Sequence, residues 1–217
     1  MKKLIFTLLA LVGTMSLNAQ IVKLYKDNVL VATYKASEVN NVVFQEETTG
    51  TAKRTGDIDV NWVQLWEGGP KFAEYNVGAS SVTDVGITMT FTDATKAGAE
   101  YVWGANWCTP NKEDMEHLMT AAMGETDNKV KCEYTQEGSQ YGFKFTGSTD
   151  GYTDNSVFFP VQDGDSSPGH AVYWSATVDD SGAWYMKLFC INGYWLNDWG
   201  SSDQDDYNCL VRPVLKK

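Results

Sequence analysis

The chain has 217 residues, with 28 acidic against 17 basic side chains and a formal net charge of -11 at pH 7. So acidic a surface repels nucleic-acid phosphates and anionic membranes, which are held mainly through lysine and arginine, so no nucleic-acid partner is expected. The 8 tryptophans, 11 tyrosines and 9 phenylalanines suit a compact extracellular domain, and the length suffices for one good core with an appendage.

Met1-Lys2-Lys3 carry charge, Leu4 to Val12 are apolar, and Ser16-Leu17-Asn18-Ala19-Gln20 supplies a small-residue cleavage context. This pattern predicts a signal peptide over residues 1–20, cut after Ala19, and a secreted, cell-surface or periplasmic protein. The apolar run falls short of the roughly 20 residues that span a bilayer, and no later segment comes closer, so no membrane insertion is expected. No cysteine adjoins the cleavage point, which disfavours a lipid anchor. Losing residues 1–20 removes two lysines and no acid, which moves the formal charge from -11 to -13.

Ile21 to Tyr25, Val29 to Lys35 and Val42-Val43-Phe44 read as short strands, a short N-terminal β segment over residues 21–45. Residues 46–57 hold Thr-Thr-Gly-Thr, Lys-Arg-Thr-Gly and almost no apolar side chain, so they read as a linker. The main domain follows over 58–217. Its short apolar runs, divided by Gly, Asn, Asp and Ser, predict strands and long loops. One helix stands out. Met115, Leu118, Met119 and Ala122 fall at i, i+3, i+4 and i+7, behind an N-cap at Asn111 with Asp114 three residues on, and Gly124 is the stop. His117 falls on its polar side and is expected to be solvated. A shorter helix is predicted over Asp93 to Gly98. Cys108, Cys132, Cys190 and Cys209 form no C-x-x-C pair and lack metal-site spacing, so they read as structural disulfides, with three pairings open, or as buried thiols.

The stretch Trp62 to Ala79 holds a hydrophobic strand followed by Phe72-Ala73-Glu74-Tyr75-Asn76-Val77-Gly78-Ala79. Then come Tyr101-Val102-Trp103-Gly104, Asn106-Trp107-Cys108-Thr109-Pro110-Asn111-Lys112-Glu113, Ser156 to Val161, Tyr173-Trp174-Ser175-Ala176-Thr177, Ala183-Trp184-Tyr185 and Val211-Arg212-Pro213-Val214. In this order the blocks resemble the Fibrobacter succinogenes major paralogous domain family of secreted bacterial proteins. That family belongs to a superfamily with formylglycine-generating enzymes and the variable proteins of diversity-generating retroelements. Cys108 stands where the family usually has arginine. The resemblance implies an α+β, C-type-lectin-like fold: loop-rich, with small antiparallel sheets, one or two helices, and Val60 to Leu65 paired with Leu210 to Leu215. It also implies a ligand site near the C-terminal end of the domain.

Residues 191–208 are at once polar, acidic and aromatic, a mixture in which rings stack on sugars or bury against a partner while short polar groups adapt their hydrogen bonds. The candidate ligand-binding residues are Tyr194, Trp195, Asn197, Asp198, Trp199, Asp203, Asp205, Asp206, Tyr207 and Asn208. The expected partner is a glycan or a protein. Asn, Tyr, Asp and Ser are also what adenine-directed mutagenesis makes of asparagine codons, which suits a diversified receptor loop, although Trp195, Trp199 and Gln204 do not arise that way. No cofactor is expected. Calcium, which takes roughly six to eight oxygens, is the one ion the carboxylates Asp198, Asp203, Asp205 and Asp206 leave open, and Leu196-Asn197-Asp198 only partly echoes the lectin sugar motif. No catalysis is expected either. The terminal Arg-Cys of formylglycine-generating enzymes is Arg212-Pro213 here, neither His117 nor His170 adjoins a nucleophile motif, and no glycine-rich phosphate loop is present. A cysteine-dependent oxidase and a structural subunit of a surface assembly remain as alternatives.

Overall fold

The computed structural model describes residues 21–26, 29–35, 47–95, 103–162, 169–191, 194–195, 197–203 and 206–216. The signal peptide over 1–20, the strand at Val42 to Phe44 and the end of the helix predicted over 93–98 lie outside them. The chain divides into two compact units, Met1–Glu46 and Glu47–Lys217. In the first, β1 (Ile21–Lys26) and β2 (Val29–Lys35) pair as an antiparallel hairpin with an irregularity between Leu24 and Tyr25.

The second unit begins with a departure from the sequence reading. Most of the expected linker is β3 (Thr49–Arg54), paired antiparallel with β4 (Ile58–Gln64) from Thr49 opposite Val63 to Arg54 opposite Ile58. Gly56 and Asp57 hold φ at +85° and +58°, the left-handed geometry that reverses a chain within three residues. The strand carries few apolar side chains because it is the sheet's edge: its residues alternate between exposed and half-buried, and none is fully covered.

From β4 the chain turns back into β5 (Lys71–Ala73), then forms β6 (Trp107–Cys108) and α1 (Lys112–Ala122). Next come β7 (Val130–Glu137), β8 (Gln140–Gly147) and β9 (Ser156–Pro160), a meander in that order. A third sheet follows, in which β10 (Gly169–Asp179) pairs with β11 (Gly182–Ile191), and β11 pairs in turn with β12 (Tyr194–Trp195) and β13 (Asp198–Ser202). Finally β14 (Val214–Leu215) returns to the first sheet, whose order is β3-β4-β5-β14-β6. The fold is thus strand-rich and mostly antiparallel; among the described residues helix is limited to α1, a short turn at Phe91–Thr95 and Trp103. The last strand does not pair with β4 as the family resemblance implied, because β5 lies between them, with Phe72 opposite both Val63 and Val214. The reason is local: Gln64 Nε2 donates to Gly69 O (2.9 Å) and Gly69 N–H to Trp66 O (3.0 Å), which folds β5 back onto β4 first. Among the described residues no helix is long and apolar enough to cross a membrane.

The helix forms where its spacing predicts. Asn111 is the N-cap and its N–H donates to Asp114 Oδ2 (3.0 Å), Met115, Leu118, Met119 and Ala122 are buried, and Gly124 follows at φ +76°. Lys112 N–H donates to Thr177 Oγ1 (2.9 Å), which ties the helix start to β10. Its apolar face joins β7 to β11 in a first core, and a second core gathers Trp103, Trp107, Trp174, Cys209 and Val211. His117 stays on the open side of the helix, its side chain 37% exposed, and is also tethered. Its Nδ1 meets Asp127 Oδ2 at 2.8 Å and its ring stands edge-on to Trp66, 5.0 Å between centroids.

At the junction of the three sheets lies Arg212, with no solvent exposure. Its Nε donates to Asn76 Oδ1 (2.8 Å), one terminal nitrogen to Ala73 O (3.0 Å) and Glu74 O (2.7 Å), and the other to Phe158 O (2.6 Å). The guanidinium also lies 4.6 Å from the Phe159 ring centre. Asn76 passes the network on, donating to Val85 O (2.8 Å) and to the Tyr173 hydroxyl (3.2 Å), which itself donates to Pro160 O (3.0 Å). Burial lowers the Arg212 pKa to about 10 and raises that of Tyr173 to about 12, so at neutral pH the guanidinium stays charged and the phenol stays neutral. A buried charge is tolerated only when its hydrogen-bonding capacity is met, and removing it strands several buried acceptors at once. Arg212→Ala should therefore lower unfolding free energy by about 3–5 kcal/mol, and Arg212→Lys by more than about 2 kcal/mol because one ammonium does not span the fork. Urea unfolding midpoints at unchanged m-value measure both.

Candidate functional site

The C-terminal segment 194–208 is built on β11. That strand holds β13 in register, from Ala183 opposite Ser202 to Lys187 opposite Asp198, and its far end pairs with β12 through Cys190 opposite Trp195. Alternation along β11 sends Trp184 and Met186 to one side and Tyr185 and Lys187 to the other.

On the first side, Trp199 lies opposite Met186, half-buried against the first core. Lys112 from α1 places its ammonium 3.5 Å from the Trp184 ring centre and 5.1 Å from that of Trp199. Lys112 also faces Asp179, whose carboxyl is held below the usual range chiefly by the Ser181 N–H and further by Trp184. On the second side, Tyr207 stacks flat on Tyr185, with centroids 5.1 Å apart and planes 2° apart, and Tyr185 stands edge-on to Trp174. Burial raises the Tyr185 pKa, so its phenol enters the stack neutral.

The candidate residues divide between inside and outside. Asn197 is buried and spent internally: its Oδ1 accepts the Phe189 N–H (2.6 Å) and its Nδ2 donates to Ala122 O, so it pins the segment to the end of α1. Trp199 is largely a packing residue. Asp198, Asp203, Asp206, Tyr207 and Asn208 are each exposed, and Asp198 Oδ1 accepts the Trp199 N–H (2.8 Å). Asp205 and the side chains of Tyr194 and Trp195 lie outside the described residues. Among the described residues no three His, Cys, Asp or Glu side chains converge closely enough to hold a metal ion.

A concave feature lies elsewhere in the unit. A groove of about 520 Å³ is lined by Thr49, Thr51, Asn61, Glu74, Asp154 and Ser156 over a base that includes Val63, Val82 and Val157. Among the described residues, none of the 191–208 segment lines it. Sequence reading missed it because one wall is the supposed linker and the opposite wall is about 100 residues away along the chain. Nothing in either stretch signals that they meet. Val82 belongs to a loop tied by Asp84, which accepts from the N–H groups of Ser80 (2.9 Å) and Gly86 (3.1 Å).

The cysteines are dispersed. Cys190 is buried in the first core and Cys209 in the second, Cys132 packs beside the first, and the Cys108 thiol lies 3.7 Å from Val214 O. Burial pushes the Cys132 and Cys209 thiols well above their ordinary pKa, away from the thiolate that redox or nucleophilic chemistry needs. Compared with known proteins, the chain matches no family model, no curated protein and no solved structure.

The thiol environment is open to a direct check. Alkylation of Cys132 and Cys209 by iodoacetamide at mildly alkaline pH should run roughly a hundredfold slower in the native protein than in urea. A second expectation concerns acid. Ser80 first and Gly86 second hold the Asp84 pKa below its ordinary 3.8, so the folded state is favoured above that value and loses the contribution as pH falls through the depressed one. The stability advantage of the native chain over Asp84→Asn should be constant near neutrality and shrink below about pH 4, as thermal melts across that range would show.

Proposed function

We propose that the chain is an exported, non-catalytic binding module with a C-type-lectin-like fold, which takes a glycan or protein ligand on the face formed by Asp198, Asp203, Asp206, Tyr207 and Asn208. The observation that carries this reading is the Tyr185–Tyr207 stack. It presents a 43% exposed aromatic ring on a strand that is itself paired on both sides, with the exposed Asp206 and Asn208 as its chain neighbours. An aromatic plane held in place loses little entropy when a sugar ring or a partner's side chain settles on it, while adjacent carboxylates and amides select by hydrogen bonding.

Two further features support the reading. The ordered blocks from Trp62 to Val214 resemble a lectin-like family, and β14 lies in the same sheet as β4 and β5, bringing both ends of the domain together. The raised pKa of the half-buried Cys132 and buried Cys209 thiols favours a binding role over a cysteine-dependent oxidase.

The test is a glycan and protein array probed with the full chain beside an Asp206→Ala/Tyr207→Ala double variant. Both positions are exposed, so the variant should melt as the native protein does. Binding to the ligand found should weaken at least tenfold, about 1.4 kcal/mol. Equal binding by the folded variant would remove the face from consideration.

A further inference from the structure

We infer that the groove between β3–β4 and β9 is a second binding site, separate from the proposed ligand face, and that it takes an uncharged saccharide. Cross-strand register sets its polar wall. Thr49 lies opposite Val63 and Thr51 opposite Asn61, so the two hydroxyls and the Asn61 amide emerge on one face of the sheet. Asn61 Nδ2 donates to Glu74 Oε2 (3.1 Å), which aligns the two side chains at the rim. Across the groove stand the exposed Asp154 carboxylate and the half-buried Ser156, and the apolar part of the lining comprises Val63, Val82 and Val157 with Trp62 and Phe158. Donors and acceptors on two walls over an apolar base match a sugar, which presents hydroxyls at its edge and C–H groups on its face.

The volume and charge narrow the class. About 520 Å³ falls within the roughly 300–1,000 Å³ of small-molecule clefts. The described lining holds Glu74, Glu137 and Asp154 and no lysine, arginine or histidine, which repels uronic acids, sialic acids and phosphates. Glu137 is paired with Lys144 (3.1 Å), and the carboxylates do not gather on one point as a metal ion requires. Spread acceptors suit hydroxyls distributed round a ring. The walls are also held before any ligand arrives. Arg212 donates at once to the backbone oxygens of Glu74 on one wall and Phe158 on the other, and buried Asn155 donates to Gln64 O (2.7 Å) between the strands. A cleft clamped from beneath loses little freedom when it binds.

The experiment is an amide-detected NMR titration of the full chain with cello-, xylo- and manno-oligosaccharides, and with an oligogalacturonate as the acidic counterpart. At least one neutral series should shift the amides of Thr49 to Thr51, Asn61 and Asp154 to Ser156 and reach saturation, and the oligogalacturonate should not. Thr51→Arg, which fills the groove from an exposed strand position, should weaken that binding about tenfold or more. Asp154→Ala, on the exposed rim, should weaken it severalfold and serves if the first variant does not fold. Tyr207→Ala should leave it unchanged, which separates this site from the proposed ligand face. The inference is overturned if no neutral series shifts these amides, if the acidic sugar binds equally, or if the folded variants bind as the native chain does.

Discussion

The guanidinium of Arg212 has no water to turn to, and that single constraint organises the second unit. Its donors are met by oxygens from β5 and the residue after it, from Asn76, and from β9, while Tyr173 of β10 closes the network through Asn76. Three separate sheets therefore meet at one side chain. A lysine could not do this, because a single ammonium presents its donors from one point whereas the guanidinium spreads them in a plane. The same bonds explain the buried Asn76 and the conformation around it. Gly86 has φ +81°, and a Cβ there would lie 2.4 Å from Val77 O, so this loop closes on Asn76 only with glycine at that position.

Around that junction the two candidate surfaces are held by different means. The groove inherits its shape from backbone, since Arg212 grips Glu74 and Phe158 from beneath and leaves their side-chain neighbours free to face solvent. The C-terminal face inherits its shape from side chains. Lys112 lies against Trp184 and Trp199, Asn197 bridges Phe189 and Ala122, and Tyr185 supports Tyr207, so helix and sheet are joined through aromatic and amide contacts. What remains outside includes the exposed Asp203 and Asp206.

Local patterns carried well wherever they depended only on neighbouring residues. Asn111 and Gly124 bound the helix because capping and left-handed termination are decided within one turn. The hairpin of Ile21 to Lys35 likewise follows from alternating strand formers about a short polar turn. Patterns failed where a distant partner decided the outcome. Thr49 to Arg54 look like linker because half of an edge strand faces water, and only pairing with Ile58 to Val63 reveals them as sheet. The helical wheel places His117 on the open side, where it stays 37% exposed, but its partners Asp127 and Trp66 come from other parts of the chain. Asn197 reads as a ligand residue by type, and is taken up by Phe189 and Ala122 instead.

Taken alone, the residues determine an acidic chain, the helix and its ends, the short strands, and a polar aromatic segment before the C-terminus. Those properties follow from composition and from spacing over a few residues, which no tertiary contact has to supply. The tertiary structure alone decided that β5 separates β4 from β14, that Arg212 is a buried junction, and that residues near 50 and near 155 form one groove. Each of these is a contact between segments far apart in sequence. The energy of such contacts lies in burial and in hydrogen bonds completed across sheets, and neither exists until the chain has closed.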